Sequence, residues 1–360
     1  MNIQERTILI VGSGYVGEML CDQFSKRTDV HTIIALDKEP QSEFSKTISK
    51  VVYVQHNMAD EGWQEIVAQY EPDTVIHTAW QIRAMYGQKN EQWRWNVEGS
   101  DKVFDFALTL PSVSKLIYFS TASSYSARPD NTFERYFTEA EGFRDDEYIY
   151  AKEKKVTEER LHEKFVKAKT EGKTLPQIFV VRPAAITGPR GRYMRIRFGL
   201  QSALSGNLKG GFVNKLVTTL TAWVPATEGW VRQFIHEDDV TDIIAKFTFE
   251  NLEGTYEVFN ITPPGEPVYA EDMALAVGKK ILHIKPWMAR FAFFFFWHAT
   301  RGKIPTCPGS WRFYSYPVLM DGTLLTRRYN YQYQYTSKEA FQYTNGRYAD
   351  FVPEDKRNLK

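Results

Sequence analysis

The chain has 360 residues and a mass of 41.8 kDa, enough for one large α/β domain or two joined ones and for a sizeable buried core. With 45 Lys and Arg against 44 Asp and Glu, its net charge of +1 argues against a generally basic nucleic-acid binder and against an acidic solvating chain. Charged residues at 25% and apolar residues at 43% argue against intrinsic disorder, and the outlying quantity is the aromatic content of 15%.

The N-terminal segment Met1–Arg6 is polar and runs into the strand-like Thr7–Val11, so no secretory leader is expected. Thr7–Val11, Thr32–Leu36, Val51–Gln55, Thr74–His77 and Lys115–Ser120 are short, apolar and rich in β-branched residues, the pattern of buried parallel strands. Tyr15–Phe24, Gly62–Gln69 and Trp93–Leu108 carry helical spacing between them, and Gln177–Arg182 reads as a sixth strand. Repeated β-α-β units imply an α/β, doubly wound parallel sheet with ligands at the carboxyl ends of its strands.

The first of these units carries chemistry. Gly12-Ser-Gly14-Tyr15-Val16-Gly17 follows a strand and opens a helix. Gly12 suits the tight turn, Gly14 lets backbone approach a pyrophosphate, and Gly17 permits close helix packing, with the helix N-terminus facing the anion. Asp37 comes 20 residues after Gly17, just past the second strand, where a carboxylate accepts ribose hydroxyls and repels a 2′-phosphate; NAD is expected over NADP, with Lys38 beside it as the dissenting charge.

Beyond Arg182 the pattern is irregular and the charge one-sided. Residues 172–227 contain no Asp or Glu but carry Lys173, Arg182, Arg190, Arg192, Arg195, Arg197, Lys209 and Lys215. Residues 273–320 are also acid-free and carry Lys279, Lys280, Lys285, Arg290, Arg301, Lys303 and Arg312. These stretches read as a second, smaller lobe of non-contiguous segments: a sheet domain over 1–182 plus about 230–261, and a substrate lobe over about 183–229 plus 262–360. Within that lobe, Phe291-Ala-Phe-Phe-Phe-Phe-Trp297 is apolar on every helical face, and three readings stand open: burial, the favoured one; peripheral contact of residues 286–303 with an anionic membrane; and a subunit interface. At ~1.5 Å per residue the run Pro286–Ala299 reaches ~21 Å, short of a ~30 Å hydrocarbon core. Cys21 and Cys307 cannot build a disulfide framework, and with no CxxC or Cys/His cluster no metal is expected. A reducing, cytoplasmic setting is the natural expectation, with membrane association left open.

Further motifs follow in a familiar order. Asn57-Met58 succeeds the third strand, His77-Thr78-Ala79-Trp80 ends the fourth, and Asn96-Val-Glu-Gly-Ser, Arg182-Pro183…Gly188-Pro189 and Arg232-Gln-Phe-Ile-His236-Glu-Asp238-Asp239-Val follow. Together with the glycine turn they resemble the NAD-dependent epimerase/dehydratase group of the extended short-chain dehydrogenase/reductase family, from about Thr7 to Phe341. The resemblance implies a Rossmann domain with a discontinuous C-terminal substrate lobe, NAD as cofactor and a homodimer. It also implies cofactor contacts at Gly12, Gly14, Tyr15, Val16, Gly17, Asp37, Lys38, Asn57, Met58, Thr78, Ala79, Trp80, Asn96 and Pro183, with Trp80 where the family has a small residue and Asn57 for the usual Asp.

Hydride transfer from an alcohol carbon needs a base, a cation to lower that base's pKa and a donor to hold the oxygen. Tyr148/Lys152 and Tyr150/Lys154 both have the four-residue spacing that aligns a Tyr and a Lys on one helix face. The family's spacing to a following Glu and Leu favours Tyr150 and Lys154, both also contacting cofactor. Thr121, four residues before Tyr125-Ser126 in the place of the family's Tyr-Gly, is the hydroxyl donor, with Ser123 as the alternative register. Ala122-Ser123 stands where sugar dehydratases of the family carry Asp-Glu, which argues against loss of water. Arg232 and Arg192, with Thr121 and Ser123, are expected at the substrate. Arg232 favours a sugar nucleotide epimerase; Ala185, where nucleotide-sugar members usually have Asn, and the Phe run favour a dehydrogenase of a hydrophobic, sterol-like alcohol. A non-catalytic dinucleotide-binding sensor or assembly subunit is the rival from another class.

Overall fold

The structure, a computed structural model, describes residues 5–144, 147–191, 223–276 and 280–357. In chain order the elements are β1 (Arg6–Val11), α1 (Tyr15–Ser25), β2 (Val30–Asp37), α2 (Glu43–Lys46), β3 (Val51–Gln55), α3 (Trp63–Ala68), β4 (Thr74–His77), α4 (Lys89–Trp93), α5 (Gly99–Thr109) and β5 (Lys115–Phe119). Then follow β6 (Tyr136–Phe137), α6 (Ile149–Thr170), β7 (Gln177–Pro183), β8 (Ala185–Thr187), β9 (Trp223–Ala226), β10 (Val231–Arg232), β11 (Phe234–His236), the helix Glu237–Phe249 and β12 (Tyr256–Ile261). After β12 come β13 (Val268–Tyr269), β14 (Lys280–His283), the helix Pro286–Ala299 and β15 (Leu319–Met320).

The chain divides into two compact units, the first comprising Met1–Thr121, Glu153–Arg182 and Thr241–Phe259. Its sheet has the order β12-β7-β5-β4-β1-β2-β3, and β1–β2, β1–β4, β2–β3, β4–β5 and β5–β7 are parallel pairs. The order reverses between β1 and β4, the point at which such sheets open a crevice at their carboxyl ends. Both faces of the central strands are apolar because helices cover both, so Leu9, Val75, Leu116 and Ile178 are sealed in the core with Trp63 and Phe104. Lys115 Nζ donates to the carbonyls of Phe247, Thr248 and Glu250, closing the C-terminal end of the helix Glu237–Phe249 where the last carbonyls lack helical partners.

The second unit comprises Ala122–Lys152, Pro183–Val240 and Asn260–Lys360. Its described strands pair in twos: β8 with β11, β9 with β14, β10 with β13 and β6 with β15. Trp230, Phe234, Val268 and Ala340 form a small core. Segment 122–152 belongs here because β6 pairs with β15 and Asn131 Nδ2 donates to the Pro317 carbonyl at 2.6 Å.

The segment expected to be helical over Trp93–Leu108 is helical throughout, as the end of α4, a π-helical turn at Arg94–Glu98 and α5; the wide turn inserts Asn96 into a polar network described below. One expectation is corrected. The aromatic run is not buried: Trp287, Phe291, Phe294, Phe295 and Phe296 are exposed, because the helix packs through a narrow stripe of Ala289, Phe293 and Trp297. A helix that is apolar all round can bury one face against one neighbour.

Candidate active site

The glycine turn joins β1 to α1. Gly12 has φ 99°, and a Cβ there would run into the backbone of Ala79; a Cβ on Gly17 would strike the Gly12 carbonyl. Gly14 is exposed, with nothing within 4 Å of the place a Cβ would take, and it caps α1 without any side-chain hydrogen bond. The turn is therefore shut on the protein side and open above Gly14, where the N–H groups of the first helical turn, starting at Tyr15 and Val16, lack helical acceptors. Thr78 fixes it from β4: its Oγ1 donates to the Gly12 carbonyl at 2.8 Å, while the amides of Thr78 and Ala79 both donate to Val11 at 2.8 Å. Asp37 Oδ2 accepts from the Ser13 amide at 2.7 Å and Oδ1 from Glu39 at 3.0 Å, which leaves lone pairs on both oxygens. Lys38 is engaged elsewhere, paired with Glu39 and 4.5 Å from the centroid of the Trp95 ring. Asn57 Oδ1 accepts from Ala59 at 2.9 Å and the Met58 carbonyl from Trp63 Nε1 at 3.1 Å. These features fit a dinucleotide: open space above Gly14 that a Cβ would enter, an uncapped helix start, and the buried Ser13 Oγ without a partner among the described residues.

Lys154, on α6, is buried in the same unit. Its Nζ donates to the Phe119 carbonyl at the end of β5 and lies 3.7 Å from the Trp80 ring centroid and 5.0 Å from that of Tyr118. Burial pushes its pKa well below the usual lysine value, and the Glu158 and Glu153 carboxylates work against that shift. Glu158 also forms a buried pair with Arg182, Arg182 Nε donating to Oε1 at 3.1 Å, and Pro183 ends β7 directly after it.

Glu153, Gln92 and Asn96 form a network that sequence reasoning missed in part. Glu153 Oε2 accepts from Asn96 Nδ2 at 2.7 Å and from Gln92 Nε2 at 3.1 Å; Asn96 Oδ1 takes the Gln81 amide at 2.7 Å and Gln92 Oε1 the Met85 amide at 2.8 Å. Burial raises the Glu153 pKa, opposed by those two side-chain donors. The pieces tied are α6 at the residue before Lys154, the π-helical turn and the 81–85 loop. Asn96 was legible through its motif; Gln92 and Glu153 look like surface positions in sequence.

Tyr150 lies on α6, one turn ahead of Lys154, in the portion grouped with the second unit. Tyr148 packs at 5.3 Å on Phe313, and burial raises its pKa well above the usual tyrosine value. Lys152 is exposed. Thr121 is buried just past β5, and Ser123 is half-buried in the short 3-10 turn Ala122–Tyr125. Ser126 has φ 64°, a left-handed backbone that favours glycine, at the position where the family motif has Gly. Tyr125 Oη donates to Thr138 and contacts Asn260 Oδ1 at 2.9 Å.

Arg232 is half-buried in β10, 5.2 Å from the Tyr314 ring centroid. His236 stacks on Tyr335 at 3.9 Å and accepts the Asp238 amide, while Asp238 holds the Arg347 amide at 3.0 Å; both anchor the C-terminal segment. Arg192 lies outside the described residues. Among the described residues no group of three or more His, Cys, Asp or Glu could hold a metal, and no helix is long and apolar enough to cross a membrane.

The model of the NAD dependent epimerase/dehydratase family matches residues 8–262, and the chain belongs to that family. NAD is accordingly its cofactor, and its class is that of the NAD-dependent epimerase and dehydratase enzymes. No match is found among curated proteins. Among solved structures, the UDP-glucose 4-epimerase of Thermus thermophilus in complex with NAD is 17% identical, with TM-score 0.65, over 96% of this chain and 98% of that one. The UDP-glucose 4-epimerase of Thermotoga maritima with UDP-glucose is 18% identical, TM-score 0.64, over 93% and 96%. The Bordetella bronchiseptica enzyme WbmG in complex with NAD and UDP is 18% identical, TM-score 0.63, over 92% and 90%. These likenesses concern the fold.

Proposed function

We propose that the protein is an NAD-dependent oxidoreductase or epimerase of a secondary alcohol, best read as a nucleotide-sugar epimerase-like enzyme with Thr121, Tyr150 and Lys154 as its catalytic residues. The observation that carries the reading is the seat of Lys154: a buried ammonium at the carboxyl ends of β4 and β5, one helical turn from Tyr150. The competing pair is disfavoured, since Lys152 faces solvent and the Tyr148 phenol is made harder to ionise. NAD supplies the hydride acceptor. Tyr150 takes the hydroxyl proton, the Lys154 charge lowers the cost of the phenolate, and Glu158 and Glu153 oppose the desolvation that disfavours that charge. Thr121 holds the reacting oxygen, with Ser123 as the other donor. Asp37 and the diverted Lys38 support NAD over NADP.

The sheet-bearing unit would hold the dinucleotide and the second unit the substrate, with Arg232 on a diphosphate. Ala185 speaks for a hydrophobic alcohol instead, but the exposure of Phe291, Phe294 and Phe295 removes the aromatic run from that side of the argument. Incubation of the purified protein with UDP-sugars, read by NMR for epimer formation, tests the proposal. Epimer produced by the wild type and absent with Tyr150→Phe supports it; NAD reduction by apolar secondary alcohols with no epimer from any sugar nucleotide overturns it.

A further inference from the structure

We infer that the helix Pro286–Ala299 is a docking surface for an anionic lipid bilayer, a property separate from the catalytic reading. The helix is two-sided. Ala289, Phe293 and Trp297 recur every four residues and form the inner stripe, Phe293 lying 5.0 Å from Tyr314. The opposite stripe carries Trp287, Phe291, Phe294 and Phe295 at 66%, 67%, 63% and 55% exposure, far more apolar surface than scattered single hydrophobics present. Leu282, on the strand just before the helix, is itself 50% exposed.

Charge selects the occupant. Lys285, Arg290, Arg301 and Lys303 bracket the aromatic face, all exposed and, among the described residues, without a carboxylate partner. No Asp or Glu occurs anywhere in 273–320. A two-fold contact between copies would bring the same patch against itself, setting four cations against four, while the neighbouring exposed carboxylate Glu147 is already paired with Arg312. A bilayer with anionic headgroups answers the charge and accepts the aromatic face at once, with Trp287 at the headgroup level. At ~1.5 Å per residue the helix is too short to cross and would lie in the interface.

The test uses the full chain with vesicles of phosphatidylcholine, alone or mixed with phosphatidylglycerol, in a co-sedimentation assay. Binding to the mixed vesicles is expected to be roughly 25- to 600-fold tighter than to phosphatidylcholine and to weaken with added salt, since each of the two to four basic residues that reach the anionic surface contributes about fivefold. The triple variant Phe291→Ser, Phe294→Ser, Phe295→Ser should lose binding while keeping its thermal unfolding and bound NAD. If that variant misfolds, Lys285→Gln with Arg301→Gln and Lys303→Gln should abolish the preference for phosphatidylglycerol. The inference fails if the wild type ignores the anionic vesicles, if neither variant changes binding, or if ultracentrifugation shows the wild type self-associating through a contact that the triple variant breaks.

Discussion

The glycine turn of the first unit and the aromatic helix of the second are both ligand-facing designs by our reading, and they are built on opposite principles. Around Gly12 the backbone itself does the recognising: carbonyls, amides and the Thr78 hydroxyl are locked together, and a single added carbon would not fit at Gly12 or Gly17. Around Phe291 no position is geometrically obligatory; the surface works through summed apolar area and one-signed charge. Backbone-built sites are therefore brittle to single substitutions, whereas surfaces built from composition degrade by degrees.

The sharpest break comes at α6. Tyr150→Phe is expected to cut turnover by about 10²- to 10⁴-fold with NAD affinity unchanged, while Tyr148→Phe stays within a few-fold; single-turnover kinetics distinguish them, and the reverse pattern would shift the register by two. Next in size, Arg232→Ala should raise the KM for a nucleoside-diphosphate sugar by roughly 10- to 150-fold without touching NAD binding, the cost of a charge-assisted contact. A flat KM would take Arg232 out of the substrate site.

Within the turn, two alanines separate fold from ligand. Gly17→Ala should destabilise the protein by about 1–3 kcal/mol in chemical unfolding, because the new carbon meets the Gly12 carbonyl. Gly14→Ala, with open space around it, should leave unfolding alone and weaken NAD by roughly tenfold, about 1.4 kcal/mol. Equal effects of the two on stability would refute the division. An effect of comparable size falls on acid tolerance. Burial, chiefly, lowers the His77 pKa to about 3, and Lys154 adds to the shift. The unfolded chain takes that proton near pH ~6.5, so this contribution is complete above that pH and drains away toward pH 3, at about 1.4 kcal/mol per unit. His77→Gln should flatten the urea-unfolding slope between pH 6.5 and 5 by about that amount.

Legibility followed the same division. β1 to β5 and β7 could be read because buried parallel strands must be apolar on both faces, and the glycine turn because its geometry admits few residues. Ser126 shows the limit of motif reading: it keeps the left-handed backbone of a Gly that the sequence no longer has. The π-helical turn at Arg94–Glu98 was invisible because periodicity continues through it, and Gln92 and Glu153 because a buried polar network has no periodic signature. The aromatic run misled for the converse reason: hydrophobicity states an appetite for burial without saying what, if anything, within the chain satisfies it.

The Trp80 ring over the Lys154 ammonium ties the reading of one position to the other. Position 80 is small in the family pattern, and here a large indole shields a buried cation at 3.7 Å. Replacing Trp80 alone takes the indole away from the ammonium, and replacing Lys154 alone leaves the indole without its cation, so the effects of the two substitutions are not expected to add. Ancestral or engineered substitutions at 80 therefore carry a meaning that depends on what stands at 154, and a sequence comparison scoring each column by itself would misjudge both.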